Sequence, residues 1–411
     1  MAMARHFAIE ESANTIPPTM QAAVYRGVND VRLETVPVPL IGAGELLLRV
    51  HTCGICGTDL KKIATGSHSA PRIFGHEMSG VVAAVGEGVR EFQPGDRVVV
   101  FHHVPCRDCF YCRRKTFAQC ETYKKVGCTA GFEPSGGGFA EYVRVMDWIV
   151  RQGTVRIPGD VSFEQACFLE PVNTCMKGIE RLGLQVGETV VVIGQGPIGI
   201  MLSVLAKRTM NAGIGGSFYS HFGARSDSPN GEQTRSTDEP RGADENGSMV
   251  VTSDLYPQRL TISTSYGLGN SIDASRTDLV VAVRELTGGR GADAAILAVG
   301  GNALIRIAMD AVRPGGRVLL FAQTVHGDAT FDPGAVCVDE KTLLGSYSAS
   351  VELQEDSVRF VMSREMDMER LISHRFPLSR SVEALDLAAH PQPDSMKIVI
   401  QPGGSGEGSR A

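Results

Sequence analysis

Hydrophobic and polar positions alternate over short stretches in the first third of the chain. Between Met20 and about Val143, short runs with β character are separated by turns rich in Gly, Pro and Asn. The runs are QAAVYR, ELLLRV, GVVAAV, DRVVVF and AEYVRV. Such runs, broken by turn residues, are typical of antiparallel strands. This part of the sequence therefore predicts an antiparallel, barrel-like domain.

From Gly187 onward, continuous apolar runs alternate with helical stretches. VVVIG suits a strand buried on both faces, and the following PIGIMLSVLAKRTM has a helical pattern. Further strand candidates are MVVTSD, AAILAV and RVLLFA, and further helix candidates are LVVAVREL and ALIRIAMDAV. This alternation predicts a doubly wound parallel sheet, so the fold class is α/β. Beyond about Gln323 short β signals return and end in MKIVIQP.

We therefore divide the chain into two folded units. The first comprises residues 1–176 and resumes over 326–402, the second comprises 177–325, and 403–411 are expected to be a disordered tail. Residues 213–248 interrupt the second unit with a segment rich in Gly, Ser and charge, whose only branched aliphatic residue is Ile214. Connections at such a position usually run ~2–6 residues. We interpret this insertion as a disordered excursion or a gene-model artefact, with a functional lid as the alternative.

Composition and charge then exclude several classes of protein. Hydrophobic residues make up 43% of the 411 residues and charged residues 21%, as in globular proteins. The net charge of −6 does not favour a nucleic acid or an anionic membrane as partner. The longest uncharged run, Thr189 to Ala206, contains Gly194, Gly196 and Pro197, which indicate a strand, a turn and a helix rather than a membrane span. The N-terminus lacks the apolar core of a signal peptide, so we expect a soluble, cytoplasmic protein.

Four of the ten cysteines form one cluster, Cys106-x2-Cys109-x2-Cys112-x7-Cys120. Thiolates at this spacing can enclose one tetrahedral zinc ion with no open position. A ferredoxin-type cluster would need a three-residue final gap and a proline after the last cysteine, whereas Glu121 follows here. The alternative is four unconnected buried or paired cysteines. We predict a structural zinc lobe over about residues 104–122.

A second constellation lies upstream, where Cys56 offers a thiolate, His76 an imidazole and Glu77 a carboxylate. A catalytic zinc needs three protein ligands and one open position for a substrate oxygen. Each residue alone is more often a core or surface residue. Together, beside a structural zinc lobe, they indicate a catalytic zinc site.

These residues carry a family resemblance. Gly75-His76-Glu77-x2-Gly80-x5-Gly86-x2-Val89 is similar to the zinc signature of the medium-chain alcohol dehydrogenase superfamily. Three further motifs, beside the four-cysteine lobe, follow that family's order: Cys56-Gly57-Thr58-Asp59, Pro94-Gly95-Asp96-Arg97-Val98 and Gly138-Phe139-Ala140-Glu141-Tyr142. The resemblance covers about residues 20–402 apart from the insertion. It implies a GroES-like catalytic domain, a Rossmann domain and NAD(P)-linked oxidation of an alcohol.

Within the family the chain most resembles the polyol (sorbitol/L-iditol) and L-threonine dehydrogenases, because Glu170-Pro171 stands where other members have a ligating cysteine. The resemblance implies Cys56, His76 and Glu77 as zinc ligands. Glu170 would be a fourth, exchangeable ligand or would hold the zinc-bound water; the alternative is an ordinary carboxylate at a helix start.

The resemblance also implies how the proton leaves. Thr58 would pass the alcohol proton outward, and Asp59 would orient a zinc ligand. Lys61 departs from the family, since many relatives have a histidine relay there and lysine is a poor relay at its usual pKa. The relay would then use water or a cofactor hydroxyl.

The motif Gly194-Gln195-Gly196-Pro197-Ile198-Gly199 follows a strand and opens a helix, the context in which it binds dinucleotides. Gly196 lets the pyrophosphate approach, and Gly199 lets helix and strand pack closely. Asp254 lies 55 residues after Gly199, or 19 once the 36-residue insertion is removed, which is the spacing expected of the ribose-binding acid. Its carboxylate favours NAD over NADP; the alternative is a simple strand-end aspartate. By family position, the cofactor would also meet Thr174, Arg259, Val299 and Gly300.

The substrate is the least determined feature. Polyol dehydrogenases commonly place an Arg-Tyr pair near the sugar hydroxyls, but here only Tyr347 is present, in Gly345-Ser346-Tyr347-Ser348. We expect a homodimer or homotetramer that binds two zinc ions per chain and oxidises a secondary alcohol of a small polyol or hydroxy compound. L-Threonine oxidation is one alternative, and a non-catalytic, zinc-stabilised NAD-binding protein is another.

Overall fold

The computed structural model describes residues 16–122, 136–212, 242–322 and 326–403. Most of the predicted insertion, 213–241, and the tail beyond 403 lie outside the described residues. The strands within the described residues are β1 Thr19–Gly27, β2 Asp30–Pro37, β3 Leu46–Gly54, β4 Arg72–Ile73, β5 Glu77–Val85, β6 Arg97–Val100, β7 Tyr142–Val145, β8 Thr154–Arg156, β9 Thr189–Ile193, β10 Met249–Asp254, β11 Asn270–Asp273, β12 Ala292–Leu297, β13 Val312–Leu320, β14 Thr342–Gly345, β15 Ile372–Pro377 and β16 Lys397–Gln401.

The α-helices connect these strands or cover their faces. They are α1 Gly57–Thr65, α2 Asp147–Gly153, α3 Phe163–Ala166, α4 Leu169–Leu182, α5 Pro197–Asn211, α6 Pro257–Thr264, α7 Leu279–Leu286, α8 Asn302–Ala311, α9 Pro333–Cys337, α10 Gln354–Met362 and α11 Ser381–Ala389. None of the helices in the described ranges is long and apolar enough to span a membrane.

The first unit is antiparallel apart from one strand pair, as its short alternating strands predict. One sheet has the order β2-β1-β4, and the other has the order β15-β16-β3-β5-β6-β8 with β7 paired to β3. In the second of these sheets, β15 and β16 are parallel, whereas β16 runs antiparallel to β3. Two strands from beyond residue 370 therefore join the sheet that contains β3. Alternate residues of these strands, such as Leu46, Leu48 and Val50, enter one apolar core.

The second unit is the predicted doubly wound sheet, with the order β11-β10-β9-β12-β13-β14 and parallel pairing throughout. Every residue of β9 is buried, as expected for a central strand covered by helices on both faces. Relative to the predicted boundary at 325, this sheet extends further, because β14 pairs with β13. The return to the antiparallel unit therefore follows Gly345.

Helix α4 runs without a break across the predicted boundary between 176 and 177 and ends at Gly183, whose φ is +63°. Its buried face belongs to an apolar core that also contains Val99 of β6 and Val192 of β9. Residues of the larger antiparallel sheet and of the parallel sheet therefore contribute to one core, and α4 connects the two sheets.

The predicted insertion ends too late in the sequence, because its last seven residues, 242–248, have defined contacts. Asp244 N–H donates to the carbonyl of Ser248 at 2.7 Å, and the Asn246 amide donates to the carbonyl of Met210 at 3.1 Å, at the end of α5. Asp244 also pairs with Lys207 at 3.3 Å. Residues 242–248 are thus an ordered turn leading into β10, formed because their Asn and Asp side chains cap the helix end.

Candidate active site

The site begins at the start of α1. Cys56 is the N-cap residue: its Sγ accepts the Thr58 N–H at 3.4 Å, and the Asp59 carboxylate accepts the Cys56 N–H at 3.2 Å. This reciprocal capping fixes the sulfur at the positive end of the helix dipole.

Asp59 is fully buried and orients His76. Its Oδ1 accepts the Nδ1–H of His76 at 3.1 Å and the N–H of Gly75 at 3.4 Å. Burial alone would raise the pKa of Asp59. His76 and the backbone N–H of Cys56 lower it by more than burial raises it, so the carboxylate is favoured. With Nδ1 donating to Asp59, Nε2 of His76 is the ring atom left for a metal.

Glu77 begins β5 and faces Lys397 of β16. The two form a buried ion pair, and Lys397 Nζ also donates to the carbonyl of Ile55 at 3.0 Å. Gly54 stands opposite Glu77 in the β3–β5 register, and a Cβ there would overlap the Glu77 carboxylate. The glycine therefore makes room for the acid.

The ligand atoms of Cys56, His76 and Glu77 lie within 4.8 Å of one another. Glu170 is not part of this set. Its Oε1 lies 3.4 Å from Thr174 Oγ1 and 3.6 Å from His103 Nε2. Burial raises the pKa of Glu170 to about 7, although His76 opposes that rise.

One cavity of about 510 Å³ joins these groups. Its wall includes the three clustered ligand residues and Glu170, together with Thr58, Thr174, Ile198 and Tyr347. Tyr347 is half exposed, and burial of the rest of its ring raises its pKa. The structure thus places the predicted metal, proton-transfer and substrate residues around a single space.

The glycine motif lies between β9 and α5. Gly194 has a φ of +94°, and Pro197 is the first residue of the helix. A Cβ at Gly199 would overlap the carbonyl oxygen of Gly194, whereas nothing lies within 4 Å of a Cβ built on Gly196. The loop is therefore tightly packed at Gly199 and open at Gly196, beside the helix N-terminus.

Asp254 ends β10 next to this loop. Its Oδ2 accepts the N–H of Gln195 at 2.6 Å, its Oδ1 accepts the N–H of Tyr256 at 2.9 Å, and Arg259 is 4.0 Å away. Val299 and Gly300 follow β12, with the Val299 side chain 2.9 Å from a Cβ built on Gly194. All these residues gather where the strand order reverses between β9 and β12, the usual place for a ligand in such a sheet.

The four-cysteine cluster is a separate site. The sulfurs of Cys106, Cys109, Cys112 and Cys120 lie within 4.8 Å of one another, with three separations of 3.5, 3.6 and 3.9 Å and no disulfide. Four sulfurs around one tetrahedral zinc, each at ~2.3 Å, would be about 3.8 Å apart. The spacing of the thiols matches such an ion.

Comparisons with known proteins agree with this arrangement. The family described as "Alcohol dehydrogenase GroES-like domain" matches residues 42–158, and the family described as "Zinc-binding dehydrogenase" matches residues 241–363. The chain belongs to the zinc-dependent medium-chain alcohol dehydrogenase superfamily. This confirms the predicted fold, a GroES-like unit with a Rossmann-type parallel sheet.

Individual relatives extend along nearly the whole chain. Sorbitol dehydrogenase of Bacillus subtilis (strain 168) is 27% identical over 395 residues, which cover 95% of this chain and 99% of that protein. L-Threonine 3-dehydrogenase of Anaeromyxobacter sp. (strain Fw109-5) is 29% identical, covering 89% and 93%. The solved structure of alcohol dehydrogenase TADH from Thermus sp. ATN1 superimposes with a TM-score of 0.72 at 28% identity, covering 93% of this chain and 99% of that one.

The sequence did not predict that His103 and Lys397 belong to this site. His103 Nδ1 accepts the N–H of Ala349 at 3.1 Å, so Nε2 carries the proton that faces Glu170. Burial lowers the pKa of His103 well below its usual value. The His-His pair before Cys106 was the available signal. No sequence pattern pointed to Lys397, because its partner Glu77 is far away in the sequence.

Proposed function

We propose that this chain is a zinc- and NAD-dependent dehydrogenase that oxidises a secondary alcohol of a small polyol or hydroxy compound to a ketone. One observation carries the proposal: the cavity bounded by Cys56, His76 and Glu77 is also bounded by Ile198, a residue of the dinucleotide motif in the first turn of α5. A metal donor set and a cofactor loop therefore open onto the same space.

The donor set suits zinc. Sulfur, imidazole nitrogen and carboxylate oxygen are the ligand types that zinc takes, and three protein ligands leave one position for the substrate oxygen. Glu170, close by, is proposed as a fourth, exchangeable ligand or as the group that holds the departing water. The cysteine lobe would bind a second, structural zinc.

The Gly-rich loop suits a dinucleotide. The open side of Gly196 and the N-terminus of α5 would receive the pyrophosphate, and the Asp254 carboxylate would bind the ribose hydroxyls. A negative charge at this point disfavours a 2′-phosphate, so we propose NAD rather than NADP.

When bound, zinc supplies a Lewis acid for the substrate hydroxyl and the nicotinamide supplies the hydride acceptor. The protein residues contribute alignment and charge. Asp59 fixes the ring of His76, and Lys397 balances the charge of Glu77. Thr58, on the cavity wall, would take the hydroxyl proton outward. Ile198 and Phe321 form an apolar part of the wall that limits water beside the reacting carbon.

The test is purified, zinc-replete protein with NAD or NADP and a panel of polyols, diols, simple secondary alcohols and L-threonine, followed through the absorbance of the reduced cofactor. We expect NAD-linked turnover of at least one secondary alcohol. Cys56→Ser should abolish it, while Cys337→Ser, at an exposed thiol, should not. Turnover of L-threonine alone would favour the threonine alternative, and NAD binding without any turnover would favour the non-catalytic one.

A further inference from the structure

Lys62 places a cation on the wall of the active-site cavity. It lies four residues after Thr58 on α1, so both side chains occupy the same face of the helix, and both line the cavity. Helical side chains lean towards the N-terminus, which directs Lys62 back towards the metal end of the site. Its ammonium lies 5.9 Å from the centre of the Phe74 ring.

The other ionisable groups on the wall are balanced, neutral or engaged. Glu77 is paired with Lys397, and Cys56 belongs to the donor set. Burial, Lys62 and Arg72 lower the pKa of His68 to about 4, so that ring is neutral at pH 7.

His76, a proposed zinc ligand, also lines the cavity, as do two further histidines and Glu170. The His102 ring packs edge-on against His76 and His103, with ring centres 5.1 and 4.0 Å away, and His103 accepts the N–H of Ala349. Glu170 lies beside Thr174 and His103, within the machinery already described.

Lys62 differs from all of these. No described carboxylate lies within 4.0 Å of its ammonium, although the side chain is partly buried. The charge of Lys62 acts on the buried Asp59 carboxylate, but among the described residues the ammonium has no ion-pair partner at contact distance, so an oxyanion of the ligand can take that position.

We propose that Lys62 is a specificity-determining residue that binds an oxyanion, a carboxylate or a phosphate ester, at the end of the hydroxy substrate remote from the reacting carbon. This inference rests on the proposed function and narrows its substrate class. Lys62 follows Cys56 by six residues, which separates their Cα atoms by about 9 Å along the helix. Because the Lys62 side chain leans back over part of that distance, the oxyanion lies a few bonds from the hydroxyl. His68, neutral and on the same wall, offers the oxyanion a ring N–H.

Matched substrate pairs test the inference. Each pair joins a neutral alcohol to an anionic counterpart: a butanediol with hydroxybutyrate for the carboxylate, and sorbitol with sorbitol phosphate for the phosphate ester. Steady-state kinetics on the zinc- and NAD-loaded enzyme should give the anionic member of at least one pair the higher kcat/KM. Lys62→Met should lower that value about ten- to a hundredfold, mainly through KM, because a hydrogen bond to a charged group is lost.

The control variants separate charge from folding. Lys62→Arg should keep most of the preference, and turnover of the neutral members should stay within about threefold in both Lys62 variants. Lys207 lies on α5 and pairs with Asp244, so Lys207→Met removes the same charge away from the cavity. This variant should leave kcat/KM unchanged for both members of each pair. Equal loss for neutral and anionic members in Lys62→Met, or no anionic preference in the wild type, would overturn the inference.

Calorimetry distinguishes this failure from failure of the proposed function. Titration of hydroxybutyrate and sorbitol phosphate into the same loaded protein should show binding that Lys62→Met weakens. If no alcohol is oxidised but this binding persists, the proposed function fails and the oxyanion site stands. If alcohols are oxidised without Lys62-dependent binding, the oxyanion site fails and the proposed function stands.

Discussion

Three buried carboxylates of the site have three different environments. Asp59 accepts hydrogen bonds from His76 and from two backbone N–H groups, and Glu77 faces the Lys397 ammonium. Glu170 lies in contact with Thr174 and His103 but has no ion-pair partner as close as those of the other two. Since burial penalises the charged form where compensation is weak, the pKa of Glu170 is raised to about 7. The residue best placed to gain and lose a proton is therefore the one proposed to exchange with water.

This pKa predicts a pH dependence of stability in the zinc-free protein. A carboxyl whose pKa is higher in the folded than in the unfolded state stabilises the fold at low pH. The free energy of unfolding should therefore fall as pH rises from about 4.5, the ordinary value, to about 7, and then level off. Urea unfolding at a series of pH values should show this fall reduced in Glu170→Gln. Glu285→Gln, at an exposed carboxylate, serves as the control. A difference between wild type and Glu170→Gln that does not vary with pH would contradict the prediction.

At the scale of elements, the turn between β9 and α5 contains one glycine needed for packing and one that leaves space for a ligand. Gly199 is needed for close packing, because any Cβ there meets the carbonyl of Gly194. Gly196 has ordinary backbone angles, φ −69° and ψ −177°, and open space where its side chain would be. The two glycines of one motif thus have different physical roles.

Alanine substitutions should reveal this difference. Gly199→Ala should lower Tm by several degrees, because the overlap must push helix and strand apart. Gly196→Ala should leave Tm of the cofactor-free protein nearly unchanged but weaken NAD binding about tenfold or more, since the methyl group occupies the path of the pyrophosphate. Thermal melts and NAD titrations on both variants measure the two effects. Equal loss of Tm in both would refute the division.

The cysteine lobe gives a prediction about metal content. Cys106→Ser should reduce bound zinc by about one ion per chain and lower Tm, because the binding energy of a closed site is also folding energy. Cys337→Ser removes an exposed thiol outside the cluster and should change neither quantity. Mass spectrometry of the metal in protein purified without chelators gives the count. An unchanged zinc content in Cys106→Ser would exclude the lobe as a zinc site.

The sequence predicted what depends on local spacing. The cysteine cluster, the glycine motif and the pairing of His76 with Glu77 are each short patterns, and the structure brings their residues together. It did not predict β14, because four residues carry little periodicity and the strand forms only by pairing with β13. Nor did it predict Lys397, which reaches Glu77 only once β16 has joined β3.

At the scale of the whole molecule, the predicted insertion separates two segments that belong together. The Asn211 amide donates to Asp244 at 3.1 Å, so the chain on either side of residues 213–241 is held close by direct contact. Strand β10 still pairs with β9 in parallel register, and Asp254 still reaches Gln195. The packing of the Rossmann sheet therefore depends on 242–248 and not on the length of chain before it.

Two deletions test this view. Removing 214–241 should leave Tm unchanged or slightly higher, because a loop twice as long costs only about 0.6 kcal/mol more to close. It should also keep kcat and the KM for NAD within a few-fold, because the deletion joins the end of α5 to the start of β10, at the opposite edge of the sheet from Asp254. Extending the deletion to 247 should lower Tm, because Asn246 no longer caps α5 and Asp244 no longer meets Lys207. If the shorter deletion unfolds the protein or abolishes activity, residues 214–241 are an integral part of the fold and their interpretation as an excursion is wrong.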